Sequence, residues 1–186
     1  MTGIVMLWLP ILISAVLVFI ASSIIHMLSP WHKDDYPRLA KEEEFRTVVG
    51  ALDLPPGDYM IPRPRSRADL RSPEFLEKAN QGPNVIMTVL PKGMMGMGRN
   101  LALWFVYLII VGVMCAYVVG RATPPGAVYM HVFQLVSTVA FIAYGVALWQ
   151  MSIWYRRAWN ITIKATIDAL IYGLLTAGVF GWLWPK

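Results

Sequence analysis

Four polar side chains recur at every fourth position near the start of the last apolar stretch of the chain, which covers roughly residues 165–184. They are Lys164, Asp168, Tyr172 and Thr176. A spacing of four places them along one side of an α-helix. Asp168 is the only carboxylate in any long apolar stretch. A charge at mid-membrane costs at least ~2.5–3.5 kcal/mol unless it is paired, protonated or hydrated, so Asp168 needs a partner or a function.

Asp168 has two main interpretations. As a functional carboxylate it binds an ion or a proton, with Tyr172 and Thr176 as ligands or relay partners. As a structural group it pairs with Lys164, one helical turn earlier. The sequence favours the pairing, because a helix over 167–184 would still cross a bilayer and leave Asp168 near the interface. A contact with a partner subunit is a third interpretation.

Sulfur-containing side chains offer one weak metal motif. Thioether sulfurs suit Cu(I), which makes Met94, Met95 and Met97 weak copper candidates. Their position just before an apolar stretch equally suits packing at a membrane interface. The single cysteine, Cys115, cannot form a disulfide or a cysteine-based metal site within one chain. The sequence therefore predicts no metal site.

The three histidines do not converge in the sequence. His26 and His131 fall at opposite ends of predicted membrane crossings, so they cannot bind one haem iron within a chain. His26 and His32 are on the same side, but Ser29-Pro30 separates them, and a shared site would need unusual backbone geometry. We expect hydrogen bonds at the interface for all three, with no cofactor and no catalytic residue.

Small residues form two ridges that predict close helix packing. The longer ridge has one small residue at every fourth position of the last apolar stretch: Ala165, Ala169, Gly173, Ala177 and Gly181. The shorter ridge lies in the second stretch: Gly112, Ala116 and Gly120. Such ridges let two helix backbones approach closely inside a membrane, so the pattern predicts a packed bundle.

Four long apolar stretches must position these residues: 4–28, 101–120, 132–154 and roughly 165–184. Each is long enough to cross a bilayer as a helix. A composition of 57% hydrophobic and 15% charged residues agrees with a membrane protein. The sequence predicts an all-α integral membrane protein with a four-helix bundle. Its predicted parts are helix 1 at 1–28, a cap at 29–100, and helices 2–4 at 101–186.

The cationic residues predict how the bundle is oriented. Of sixteen Lys and Arg residues, eleven lie in 29–100 and three in 155–164, and these segments share one side of the membrane. Positive residues favour the cytoplasm, so the loop 29–100 is predicted to be cytoplasmic and both termini periplasmic.

The loop 29–100 has the signals of a small α+β element. Residues 41–52 carry a helical apolar stripe, 59–61 and 85–90 resemble strands, and Ser72-Pro73-Glu74 opens a short helix. Four arginines lie between them: Arg63, Arg65, Arg67 and Arg71. Without interleaved aromatic residues they indicate contact with anionic lipid headgroups and not with nucleic acid.

Three strings carry a resemblance that covers most of the chain: SPWHKDDYPRL from Ser29, LPPGDYMIP from Leu54 and IYGLLTAGVFGWLWP from Ile171. They resemble an uncharacterised family of small bacterial inner-membrane proteins. The resemblance implies a bacterial inner membrane and implies no activity.

The sequence leaves two functions open. The favoured one is a non-catalytic accessory or assembly subunit of a larger inner-membrane complex, with the bilayer and other subunits or further copies of the chain as partners. The alternative is a small oligomeric transporter or channel that uses Asp168. No pair of Gly- or Pro-broken helices, which marks many transporters, is found in the sequence.

Overall fold

A computed structural model describes residues 2–93 and 96–186 of the chain. It divides into two compact units, a helical unit of 2–37 with 96–186 and a smaller α+β unit of 38–93. These described residues are mostly helical and form one two-stranded sheet. Met94 and Met95, two of the copper candidates, lie outside the described residues.

Four helical stretches of the larger unit are long and apolar enough to cross a membrane: Ile4–Leu28, Met97–Ala122, Tyr129–Tyr155 and Trp159–Trp182. The first contains α1 (Trp8–Ser23), and the second is α4 (Met97–Ala122). The third contains α5 (Tyr129–Tyr144) and α6 (Trp149–Tyr155), and the fourth is α7 (Trp159–Trp182). The predicted count of four long apolar helices is confirmed.

The core of the helical unit lies where the four stretches face one another. Its buried members come from α1 and the turn before it, from α4, from α5 and from α7. They include Leu7, Ile11, Ala15, Val18, Leu108, Val111, Cys115, Ala116, Val119, Val132, Val136, Ala140, Tyr144, Ala169, Tyr172, Ala177 and Phe180. Many large apolar side chains on the outer faces are exposed, as expected of helices surrounded by lipid.

The glycines of both ridges lie at close helix contacts. A Cβ on Gly173 of α7 would lie 3.3 Å from the Phe141 backbone nitrogen and 3.4 Å from the Ser137 carbonyl oxygen of α5. A Cβ on Gly112 of α4 would lie 3.1 Å from Cγ2 of Ile11 in α1. The α7 ridge therefore packs against α5, and the α4 ridge packs against α1.

The third apolar stretch is interrupted, where the sequence predicted one continuous helix over 132–154. The helix α5 ends at Tyr144, Gly145 follows, and a 3₁₀ turn over Val146–Leu148 leads into α6. A Cβ on Gly145 would lie 2.8 Å from the Cβ of Ala169. The missing side chain thus allows a close approach to α7 at the point where the helix breaks.

The smaller unit has the element order helix, strand, helix, strand. These elements are α2 (Glu42–Ala51), β1 (Gly57–Ile61), α3 (Pro73–Gln81) and β2 (Val85–Val89). The strands pair antiparallel, with Tyr59 opposite Met87. The helix α3 begins as predicted, because the Ser72 hydroxyl accepts a hydrogen bond from the Phe75 amide at 3.1 Å.

The smaller unit has almost no buried core among its described residues. None of the described residues 38–93 is fully buried, and Phe45 and Val48 in the apolar stripe of α2 are exposed. All four arginines of the predicted headgroup contact are also exposed. A unit this small gains little stability from a core of its own.

Candidate functional site

Two unusual backbone segments build the site. The first apolar stretch ends in a π-helical turn, Ile24–Leu28, in which the Ser29 amide donates to the Ile24 carbonyl at 2.9 Å. Ser29 is then extended and caps a 3₁₀ turn over Pro30–His32. The chain reverses here, and the rings of His26 and His32 stack with their centroids 4.3 Å apart. The structure brings His26 and His32 together, because the π-helical and 3₁₀ turns supply the unusual backbone geometry that a shared site requires.

A chain of polar contacts joins this reversal to α7. Lys164 Nζ donates to Asp35 Oδ1 at 2.7 Å, and Asp35 Oδ2 lies 2.6 Å from His32 Nδ1. His32 Nε2 lies 2.8 Å from Asp168 Oδ2, and Trp31 Nε1 donates to Asp168 Oδ1 at 3.1 Å. We call these five residues the polar cluster. Asp168 is only 3% exposed, so its charge depends on these contacts.

Acidic and basic side chains alternate along the polar cluster. Ionised carboxylates only accept hydrogen bonds, so both ring nitrogens of His32 donate when Asp35 and Asp168 are ionised, and the ring is then a cation. In that state the order is Lys164 positive, Asp35 negative, His32 positive and Asp168 negative, which sums to zero. The alternation stabilises a set of charges that would be costly to bury singly.

The hydrogen bond from Lys164, followed by the one from His32, lowers the pKa of Asp35 below its ordinary value. The folded protein therefore favours the ionised form of this acid. By thermodynamic linkage, the contribution of Asp35 to stability is present above its unfolded-state pKa and is lost as the pH falls through its folded-state pKa.

The predicted pair of Lys164 with Asp168 is wrong. Lys164 reaches Asp35, which lies outside the apolar stretches, and Asp168 is held by His32 and Trp31 instead. The i, i+4 spacing on the helix permits the pair, but the segment after α1 brings closer partners to both side chains. Asp168 remains a paired carboxylate, with partners different from the predicted one.

The other two members of the predicted polar row behave differently from each other. The Tyr172 hydroxyl lies 3.3 Å from His26 Nε2, which links it to the edge of the polar cluster. Thr176 donates to the backbone carbonyl of Tyr172 at 2.8 Å and is buried. The structure thus joins Tyr172 to the site and leaves Thr176 within its own helix.

A cavity of about 540 Å³ adjoins the polar cluster. Its walls are mostly apolar and aromatic, and three polar side chains besides the tyrosines face it. The lining residues are His26, Asn100, Leu103, Trp104, Tyr107, Tyr144, Leu148, Ala165, Asp168, Ala169 and Tyr172. The rings of Trp104 and Tyr107 are stacked at 5.4 Å, and Tyr144 meets Tyr172 edge to face at 5.7 Å.

Comparisons with known proteins do not identify the chain. No family model, no curated protein and no solved structure matches it. The family resemblance of its three sequence strings therefore stays a prediction.

One group of described residues has ligand atoms close enough to hold a metal ion. His26, His32 and Asp168 each offer one such atom, and these lie within 4.8 Å of one another. Of the copper candidates, only Met97 is described, and it is exposed at the start of α4. The sequence missed the His-His-Asp group because its members are 6 and 136 positions apart, and only the turn at 24–32 brings them together.

Proposed function

We propose that the protein is a multi-pass protein of the bacterial inner membrane, with residues 38–93 on the cytoplasmic side. The four long apolar stretches and their exposed outer faces support insertion into a bilayer. The distribution of cations supports the orientation. Exposed Arg63, Arg65, Arg67 and Arg71 would then contact anionic headgroups.

Labelling in intact cells tests this orientation. In a chain whose Cys115 is replaced, Asp69→Cys should resist an impermeant maleimide and Lys186→Cys should react, because only position 186 is external. Labelling after cell lysis controls for accessibility. Reaction at 69 without reaction at 186 in intact cells would reverse the orientation.

Within that membrane setting, we propose that the protein binds an isoprenoid quinone in the cavity. The single observation behind this proposal is a cavity of about 540 Å³ with aromatic walls and a polar end. Flat aromatic side chains suit a planar ring, and the apolar remainder suits the start of a hydrocarbon tail. Asn100, His26 and the Tyr172 hydroxyl offer hydrogen-bond donors for the carbonyl oxygens of a quinone head.

The helical unit is better suited to binding a ligand from one side of the membrane than to transporting an ion across it. Among the described residues, the polar row of α7 ends at Thr176, and the core beyond it is apolar, with Val132, Val119 and Phe180 at 1% exposure or less. An ion would cross this layer at high cost. We therefore propose a non-catalytic, quinone-binding accessory protein of a larger inner-membrane complex, and the transporter is the less favoured alternative.

Filling the cavity tests the binding proposal. Ala165 lines the cavity, whereas Ala102 on α4 is exposed and does not line it. We expect the purified protein in mild detergent to bind decylubiquinone, and Ala165→Trp to weaken binding by at least about tenfold, or about 1.4 kcal/mol. The control Ala102→Trp should bind as the wild type does. Equal affinity in the two variants, or no binding by the wild type, would refute the proposal.

A further inference from the structure

We propose that His26, His32 and Asp168 form a binding site for one divalent first-row transition-metal ion, such as Zn²⁺, at the polar end of the cavity. Two imidazoles and a carboxylate are a donor set that suits such ions. The three ligand atoms lie within 4.8 Å of one another. Ligand atoms around a tetrahedral Zn²⁺ are about 3.4 Å apart, so small side-chain movements complete the set.

The surroundings of His32 are those of a metal ligand. Its Nδ1 lies 2.6 Å from Asp35 Oδ2, and Asp35 is itself held by Lys164 at 2.7 Å. A carboxylate on the far nitrogen fixes the ring and makes the other nitrogen a better ligand. His32 Nε2 lies 2.8 Å from Asp168 Oδ2. A divalent ion would bind between these same two atoms.

Asp168, the second proposed ligand, is also held in a fixed orientation. Trp31 Nε1 donates to Asp168 Oδ1 at 3.1 Å, which leaves Oδ2 pointing at His32. A carboxylate buried at this position is stabilised by a nearby cation. Asp168 Oδ1 thus orients the side chain, and Asp168 Oδ2 is left to bind the ion.

His26 is the movable ligand. It lies in the π-helical turn, a type of helix distortion often found at functional sites. Its ring stacks on His32 and must rotate to point a nitrogen at the ion. The side chain is exposed and its contact with Tyr172 is long, at 3.3 Å, so the rotation meets little resistance. Three protein ligands leave a fourth position for water or for a group bound in the cavity.

Metal titration tests the site without any occupant in the cavity. The purified protein, stripped with chelator, is titrated with Co²⁺ and followed by visible absorption, and Zn²⁺ is then used to displace the Co²⁺. We expect one ion per chain and the strong absorption of a low-coordinate site. His26→Gln should weaken binding at least about tenfold, and Asp35→Asn by about 10–100-fold. The exposed His131 of α5 provides the matched control, His131→Gln, which should bind as the wild type does.

His26→Gln decides the outcome, because it changes an exposed side chain and leaves the polar cluster intact. Wild-type affinity in this variant would overturn the proposal. So would an equal loss in His131→Gln, or no ion bound by the wild type. Because quinone plays no part in the titration, failure here leaves the decylubiquinone result standing, and failure of quinone binding leaves the metal result standing.

Discussion

Replacing Gly173 with leucine is expected to lower the free energy of unfolding by roughly 1–3 kcal/mol, since inserted carbons force packed elements apart. The first new carbon would lie 3.3 Å from the backbone nitrogen of Phe141. Backbone in a neighbouring helix cannot swing aside as a flexible side chain can. Thermal unfolding in detergent should show a midpoint lower by roughly 2–12 °C for a chain of this size.

The same helix offers a matched control. Gly178→Leu makes the same chemical change in α7, but the nearest atom to its Cβ is the Tyr129 hydroxyl oxygen at 3.9 Å. This variant should be close to wild type. Gly112→Leu should act like Gly173→Leu, because its Cβ would lie 3.1 Å from the Cγ2 methyl and 3.4 Å from the backbone Cα of Ile11. If Gly173→Leu and Gly178→Leu unfold at the same temperature, α7 does not pack on α5 as described.

The charge-swapped double variant Lys164→Asp with Asp168→Lys should be destabilised more than either single variant. It places an aspartate at 164 beside Asp35, which makes a like-charge pair, and it replaces the carboxylate that His32 and Trp31 contact with a lysine that cannot accept a hydrogen bond. Removing one partner of a buried ion pair costs about 3–5 kcal/mol. Each substitution in the swap removes one such partner and replaces it with a side chain of the opposite charge. Thermal unfolding in detergent measures the effect.

Asp168→Asn is the milder control for this swap. Asparagine keeps the shape of the side chain, and its oxygen can still accept from Trp31 Nε1. Its amide nitrogen can donate to His32 Nε2 while His32 Nδ1 keeps its contact with Asp35. A pair between Lys164 and Asp168 predicts the reverse order, in which the swap keeps most of the stability. A swap more stable than Asp168→Asn would therefore contradict the polar cluster.

The sequence predicted those parts of the structure that follow from a regular helical repeat. The small residues around Gly173 and Gly112 recur every fourth position, so an ideal helix places them on one face. Hydropathy likewise predicted four long helices, since the length and the hydropathy of an apolar stretch decide whether it can span a bilayer.

The site depends on irregular backbone, which is why the sequence did not predict it. The π-helical turn at Ile24–Leu28 and the 3₁₀ turn at Pro30–His32 leave no periodic signal. These turns bring His32 against His26 and place Asp35 beside Lys164. The break at Gly145 was also missed, because glycine occurs within long apolar helices without breaking them. Ser29-Pro30 was the available signal, and it indicated only that the two histidines are separated.

Mapping a photoactivatable azido-quinone on the purified protein tests most directly whether the cavity binds a quinone. We expect cross-links in the peptides that contain Trp104 and Tyr107 of α4 and residues 165–172 of α7, because these line the cavity. Excess decylubiquinone should suppress them, and Ala165→Trp should abolish them. Labels spread over the outer faces of all four helical stretches, and unaffected by decylubiquinone, would contradict the account.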